Sequence, residues 1–283
     1  MPEYRFDAIS EVATLNFSTA KVLLDKSPLH AWLQHPRLNP DYMPDIPSAD
    51  MELGTILHAL VLEGRHVYAE IDADNYRTKA AQEERDAARA SGKIPILAHQ
   101  LPDIRAASDA AIAYLRESTL HINMPTGNPE HAVYWEHNGI RCRSKLDLWL
   151  PDKGIILDYK TTGLSQGSWL RGIYTSHLDM QAAMYMRSVG ARDFYWLVQE
   201  TEPPYSCYLV GLSPTMRETG LTKFEQAARI WQACLDADKW PGYDLEPIYV
   251  DPPAYALADA ENLRLGMDNW DAGAFLMGRV NKP

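Results

Sequence analysis

At 283 residues, 46% of them hydrophobic and 23% charged, the chain has the balance of an ordinary globular protein, long enough to bury a substantial core in one large or two small domains. No stretch approaches the roughly 18 to 20 uninterrupted apolar residues of a membrane span, and residues 1–7 show no basic-then-apolar export signal, so the expectation is no membrane association and no export. Three scattered cysteines, Cys142, Cys207 and Cys234, argue against a disulfide framework and for a reducing compartment, while the net charge of −11 leaves any nucleic-acid affinity to a local basic lining.

In chain order, Ser18 reads as the cap of a short helix through Asp25. Ser27-Pro28 starts a second, with proline at its first position and Trp32 and Leu33 as apolar contacts. The proline-rich residues 37–48 form a loop. From Asp50 to about Glu63, Leu53, Ile56, Leu57, Leu60 and Val61 recur at helical spacing. His58 lies beside that stripe and, on the residues alone, reads as a core or boundary histidine. Residues 72–93 suit a solvated helix face, with a DNA-contacting or mobile segment as the alternative. Ile104, Ala107, Ala111, Ile112 and Leu115 mark an amphipathic helix over 102–120. Residues 129–136 and 140–150 alternate as strands around His137-Asn138-Gly139, where Asn-Gly signals a tight turn. A third strand begins at Ile155, completing an antiparallel meander of three. Beyond the break at Thr161-Thr162-Gly163, a turn or helix begins at Ser165 and a helix spans 176–188. Strands over 194–198 and 205–212 flank Glu202-Pro203-Pro204, and Ser213-Pro214 opens a long helix to about Asp238. A tail rich in proline and tyrosine runs to Pro253 and is weakly helical thereafter. With no repeat, low-complexity tract or linker, the expectation is a single α/β domain, helical over about 1–125 and with its core over about 126–240.

The stretch 141–160 organises the rest. Two apolar-rich runs flank Pro151-Asp152-Lys153-Gly154, a cluster of turn formers, and read as a β-hairpin. Pairing Leu150 with Ile155 sets Asp147 opposite Asp158 and Lys145 opposite Lys160, and places Asp147, Asp158 and Lys160 on one face. Opposed carboxylates with Cβ atoms about 5 Å apart repel, unless a cation lies between them or one keeps its proton. Magnesium, or alternatively manganese, favours such oxygen ligands. Charged residues directly after the buried run Ile155-Ile156-Leu157 are rare unless paired or ligating. The hairpin therefore reads as a metal site rather than as solvated surface. Arg141, Arg143 and Lys145 share the strand face of Asp147 and, with Arg171 and His177, supply candidate basic groups. Gln181 and Tyr185, four apart on a helix, share a face that can point back at the hairpin.

Asp147, ten intervening residues and Asp158-Tyr159-Lys160 resemble the signature of the PD-(D/E)xK nuclease superfamily. More closely, the chain resembles RecE (exonuclease VIII) type exonucleases of phages and prophages, within the RecB-like group. Gly54-Thr55-Ile56-Leu57-His58 is similar to that group's helix with a metal-binding histidine. Glu130 opens the strand where relatives carry an acidic residue, and Gln181-Ala182-Ala183-Met184-Tyr185 is similar to the Gln-x-x-x-Tyr helix. The resemblance spans about residues 54–185. It implies a PD-(D/E)xK core with a mixed central sheet, the antiparallel meander within it and helices on its flanks. It further implies a magnesium-dependent exonuclease acting 5′ to 3′ on linear double-stranded DNA ends in phage recombination, in the bacterial cytoplasm. The implied partners are an annealing recombinase of RecT type and further copies in a ring-like homo-oligomer. Some RecB-like enzymes hold an iron–sulfur cluster, which needs four cysteines, so none is expected. The family's long N-terminal extension is not expected either.

In the chemistry so implied, Asp147, Asp158 and His58 hold the metal, together with the Tyr159 carbonyl, and Glu130 is an outer ligand or base. Lys160 orients or deprotonates the attacking water, and a metal neighbour together with partial burial is expected to lower its pKa. Gln181, Tyr185, Arg141, Arg143, Lys145 and Arg171 contact DNA. The alternatives are a RecB-like single-strand exonuclease or endonuclease of DNA repair, a catalytically silent DNA-binding or phage assembly module, and a small-phosphoester hydrolase. The intact carboxylates and lysine argue against the silent module, and the lack of a nucleotide-binding glycine loop gives the last no support.

Overall fold

A computed structural model of the chain describes residues 12–44 and 47–268; the export reading of residues 1–7 and the end of the tail fall outside them. Contacts divide the chain into two compact units, one ending at Gly242 and one beginning at Tyr243.

The first unit opens with α1 (Phe17–Asp25), capped by the Asn16 carboxamide, whose Oδ1 accepts the Thr19 N–H at 2.9 Å. The cap thus lies two residues before Ser18, because Asn16 is the residue in extended conformation. α2 (Pro28–Leu33) starts on proline as expected, and α3 (Ala49–His58), capped by Ser48, runs into a π-helical turn (Ala59–Glu63) ended by Gly64 in the left-handed region. Two strands not anticipated from the sequence follow, β1 (Tyr68–Ile71) and β2 (Ile94–Leu97). They pair in parallel across α4 (Lys79–Ala90). At four residues each, they are too short to show alternation, and β2 holds a proline. α5 (Leu101–Glu117) leads to the main sheet.

That sheet has the order β3-β4-β5-β6-β7: β3 (Asn128–His137), β4 (Ile140–Leu150), β5 (Ile155–Thr162), β6 (Asp193–Glu200) and β7 (Cys207–Gly211). β3, β4 and β5 form the antiparallel meander, β6 joins β5 in parallel after a crossover through α6 (Gln166–Thr175) and α7 (Leu178–Val189), and β7 is antiparallel to β6. The Asn138-Gly139 turn has both residues at positive φ, 51° and 82°, the backbone that a two-residue hairpin loop requires. α8 (Pro214–Ala237) crosses α7 closely: a Cβ on Gly220 would lie 2.1 Å from the Asp179 carbonyl oxygen.

Helices cover the two faces of the sheet unequally. One apolar cluster joins Ile156, Phe194, Trp196 and Val198 of the sheet to α1, α7 and α8, and the other joins Leu157, Tyr159 and Leu197 to α3 and α5. Along β4, Ile140, Cys142 and Leu146 belong to the first cluster, but Leu148 and Leu150 belong to the second while Trp149 packs on the first. The two-residue alternation therefore shifts by one at Asp147. Simple counting puts Arg141, Arg143, Lys145 and Asp147 on one regular face; the structure instead places Asp147 at the change of phase.

The second unit carries an extended stretch with Tyr243, Leu245, Ile248, Tyr249 and Val250 exposed, then α9 (Ala254–Asp268). No described helix is long and apolar enough to cross a membrane.

Candidate active site

The phase change coincides with a parting of strands. The β3–β4 register joins Pro129 to Leu148 and His131 to Leu146 but omits Glu130 and Asp147 between them. Glu130 sits there at φ 51°, a conformation that costs any residue with a Cβ and that gathers at functional sites. On the other side, the β4–β5 register ends at Leu148 and Leu157, one step before Asp147 would meet Asp158 and well before Lys145 would meet Lys160. Farther out, the edge of β4 released by β5 is taken by Leu15, whose N–H donates to the Arg141 carbonyl and whose carbonyl accepts the Arg143 N–H, both at 2.9 Å. The expected register is thus kept in the inner hairpin and abandoned at Asp147. Asp147 stands between acidic residues on both neighbouring strands, and like charges opposed across strands disfavour closure.

Side chains take over the freed backbone groups. Asp147 Oδ2 accepts the Tyr159 N–H at 2.9 Å, and the Tyr159 carbonyl lies 2.6 Å from His58 Nε2. His58 Nε2 is 3.7 Å from Asp147 Oδ2, and its ring stacks on that of Tyr159, centroids 5.0 Å apart. His58, Glu130 and Asp147 each offer a ligand atom within 4.8 Å of the others. Glu130, expected as an outer group, is thus a member of the tightest donor cluster. Lys145 forms an ion pair with it.

Asp158 lies at the buried end of the site, wholly inaccessible, in an ion pair with Lys160. Its Oδ2 has no hydrogen-bond partner among the described residues. Burial first, and then the charge of Asp147, push the Asp158 carboxyl up to about 6, against the opposing pull of Lys160 and His58. A buried carboxylate with an unsatisfied oxygen, beside two more carboxylates, an imidazole and a carbonyl, is a fitting donor set for a hard divalent cation. Burial alone would lower the Lys160 ammonium, but Asp158 and Asp147 outweigh it and raise its pKa. The expected lowering presupposes a bound cation; the protein's own groups, two carboxylates facing the amine, act in the opposite sense.

Gln181 and Tyr185 do point back at the hairpin, from buried positions on α7. The Tyr185 hydroxyl is pushed up to about 12 by burial and then by the Asp158 carboxylate, with the nearby Gln181 amide pulling the other way. Arg141 and Lys145 are exposed, and the guanidinium of the half-buried Arg143 lies over the Tyr134 ring, 6.0 Å from its centroid. Arg171 is exposed on α6 and bonds Ser168 Oγ at 3.0 Å. His177 does not serve as a basic lining: at φ 58° it precedes α7 and bonds Asp25 Oδ1 at 2.8 Å, joining two helices. One buried polar group at the site was not anticipated from the sequence. Gln199, at the end of β6, has its Oε1 on the Tyr159 hydroxyl, and its only sequence signal is a lone amide after an apolar run.

These features define a PD-(D/E)xK-type site: carboxylates and a lysine at the ends of two parted strands, completed from a preceding helix. The chain belongs to the family described as PDDEXK-like domain of unknown function (DUF3799), whose profile matches residues 19–246. No curated protein matches it significantly. Among solved structures, a protein of Eubacterium rectale provisionally called an exonuclease aligns with 13% identity over 91% of this chain and 97% of its own, at a TM-score of 0.56; it shares the fold. A phage-related exonuclease from Haemophilus somnus 129PT aligns at TM-score 0.31 and 10% identity over 65% of this chain and 95% of its own. An alkaline exonuclease from Laribacter hongkongensis aligns at 0.29 and 12%, over 67% and 98%.

Proposed function

We propose that this chain is a divalent-metal-dependent nuclease that hydrolyses phosphodiester bonds of DNA, with ends of linear duplexes as its substrate. The observation that carries the reading is the gathering of Glu130, Asp147, His58 and the Tyr159 carbonyl where β4 parts from both neighbours, with buried Asp158 and Lys160 beside them. When bound there, magnesium or manganese would supply charge relief to the phosphoryl oxygens and an acidified water. The protein's own groups do the rest. Asp147 and Glu130 fix the donor cluster, and Asp158 holds the Lys160 ammonium at the site. Lys160, kept protonated by its carboxylate neighbours, orients water and stabilises developing negative charge. Tyr185 and Gln181, both buried on α7, close that side.

The uncovered face of the outer ribbon gives the substrate a path. Lys145, Arg143 and Arg141 pair with Ala132, Tyr134 and Glu136 of β3 and recur about every 7 Å along β4, leading to Asp147. Such a basic line concentrates phosphate contacts in an otherwise acidic chain. Resemblance to RecE-type enzymes supports 5′-to-3′ digestion in phage recombination, magnesium as the working metal, a RecT type annealing partner, a ring-like homo-oligomer and a cytoplasmic setting.

The test is nucleotide release from linear and covalently closed duplex DNA, with and without magnesium, for wild type and Asp158→Ala. Magnesium-dependent loss of the linear substrate alone, abolished by the substitution, is expected. Cleavage of closed circles would indicate an endonuclease, and no change in either substrate would refute the reading.

A further inference from the structure

We infer that Gln199 is a positioning residue for the metal centre, acting through the Tyr159 side chain; the inference rests on the metal-dependent reading of this site. Tyr159 is unusual among the residues of β5 in where its backbone groups go. Its N–H donates to Asp147 Oδ2 and its carbonyl lies against His58 Nε2. Both backbone groups thus point to the side where the β4–β5 register has ended, and both meet residues of the donor cluster rather than a neighbouring strand. The β5–β6 ladder carries the main chain at Tyr159 from one side; on the other edge, among the described residues, its backbone partners lie within the site, and the side chain supplies the further hold that fixes the tilt of that peptide.

Two contacts anchor that side chain. The ring stacks on His58 at 5.0 Å, itself a member of the cluster. The hydroxyl donates to Gln199 Oε1, and of the two anchors this is the one that lies outside the cluster. Gln199 is fully buried and every polar atom of its amide is used: Nε2 donates to the Ala107 carbonyl at 2.8 Å and to the Tyr205 carbonyl at 3.2 Å. The amide orientation is therefore fixed from α5 and from the β6–β7 connection, leaving Oε1 for Tyr159. An amide locked by two rigid elements and bonded to the residue between Asp158 and Lys160 has the form of the outer groups that orient metal ligands, whose loss commonly costs about 10-fold or more in metal affinity.

The experiment titrates manganese into the full-length protein, without DNA, by calorimetry, and measures the magnesium concentration for half-maximal nuclease activity. It compares wild type, Gln199→Leu, Tyr159→Phe, the double variant and Asp147→Ala. Either single change is expected to weaken manganese binding and raise half-saturating magnesium about 10-fold, with maximal rate at saturating metal reduced far less. The double variant should be no worse than the worse single one, because both changes remove the same bond. Tyr159→Phe removes one hydroxyl only and keeps the test open should Gln199→Leu fail to fold. Manganese binding and half-saturation unchanged in Tyr159→Phe, or additive effects in the double variant, would overturn the positioning role while leaving the metal site intact. Wild type and Asp147→Ala indistinguishable in manganese binding would refute the metal reading, and the inference with it.

Discussion

Replacing Asp158 by Asn separates what this carboxylate costs the fold from what it does at the site. The carboxyl is wholly buried and its pKa stands at about 6 against 3.8 for a free aspartate. A carboxyl that holds its proton more tightly folded than unfolded contributes its full share of stability below the unfolded value, and loses that share as pH rises through the folded one. The difference between 3.8 and about 6 corresponds to about 3 kcal/mol, which includes the help of the neighbouring Lys160. A neutral isostere removes that cost but also takes the nearest carboxylate from the buried Lys160 ammonium, so only part of it is recovered. In the presence of a chelator at pH 8, Asp158→Asn is expected to be more stable than wild type by about 1–3 kcal/mol, raising Tm by roughly 2–4 °C per kcal/mol. The advantage should shrink as pH falls from about 6 and vanish near pH 4, where both proteins are uncharged at this position. Magnesium should reverse the order, because only wild type offers the carboxylate, and nuclease activity should be lost in the variant. Denaturant unfolding across pH 4–8 in chelator and in magnesium measures all of this. A stability difference between the two proteins that does not change in the variant's favour as pH rises from 4 to 8 in chelator would refute the argument that burial and Asp147 hold this carboxyl up.

Other outcomes follow from the same geometry. Manganese at 100 times its dissociation constant should stabilise wild type by about 2.7 kcal/mol, read as a rise in Tm that Asp147→Ala abolishes; an equal rise in both would place the metal elsewhere. Arg141→Ser together with Lys145→Ser should weaken DNA binding and lower the slope of log affinity against log salt by about 1 for each phosphate no longer neutralised, measured by anisotropy over a salt series. An unchanged slope would take the DNA off the open ribbon. Gly220→Ala puts a methyl 2.1 Å from the Asp179 carbonyl oxygen and 2.4 Å from its carbon, atoms of backbone that cannot swing aside. It should cost about 3 kcal/mol or more in denaturant unfolding, and near-wild-type stability would mean that α7 and α8 do not cross so closely.

Much of the site is legible in the chain because it is local. Asn138-Gly139 demands a positive-φ turn, Pro151-Asp152-Lys153-Gly154 fixes the next one, and counting back from Leu150 and Ile155 gives the register observed in the inner hairpin. Gln181 and Tyr185 share a helix face in any α-helix, and that face turns out to look at Asp158. What the sequence does not show is where regularity stops. Counting alternate residues carries Arg141 to Asp147 along one face, yet repulsion among Glu130, Asp147 and Asp158, and capture of the freed β4 edge by Leu15, reset the alternation. Lys160 shows the same limit: burial is readable from Ile155-Ile156-Leu157, but the sign of its pKa shift depends on two carboxylates whose proximity is tertiary. β1 and β2 escape notice because four-residue strands exist only through their partner, and Gln199 because its three bonds run to residues 6 to 92 positions away.

The reset of alternation at Asp147 bears on how such a chain can vary. The ribbon beyond Asp147 keeps its own phase, independent of the buried hairpin that seats Asp158 and Lys160. Inserting or deleting matched pairs of residues around the Asn138-Gly139 tip would lengthen or shorten the basic ribbon in steps of about 7 Å without turning a single metal ligand. Reach along the substrate and the chemistry at its end are thereby separable characters. Selection, or an engineer, can tune the first by trimming the tip while leaving the second alone.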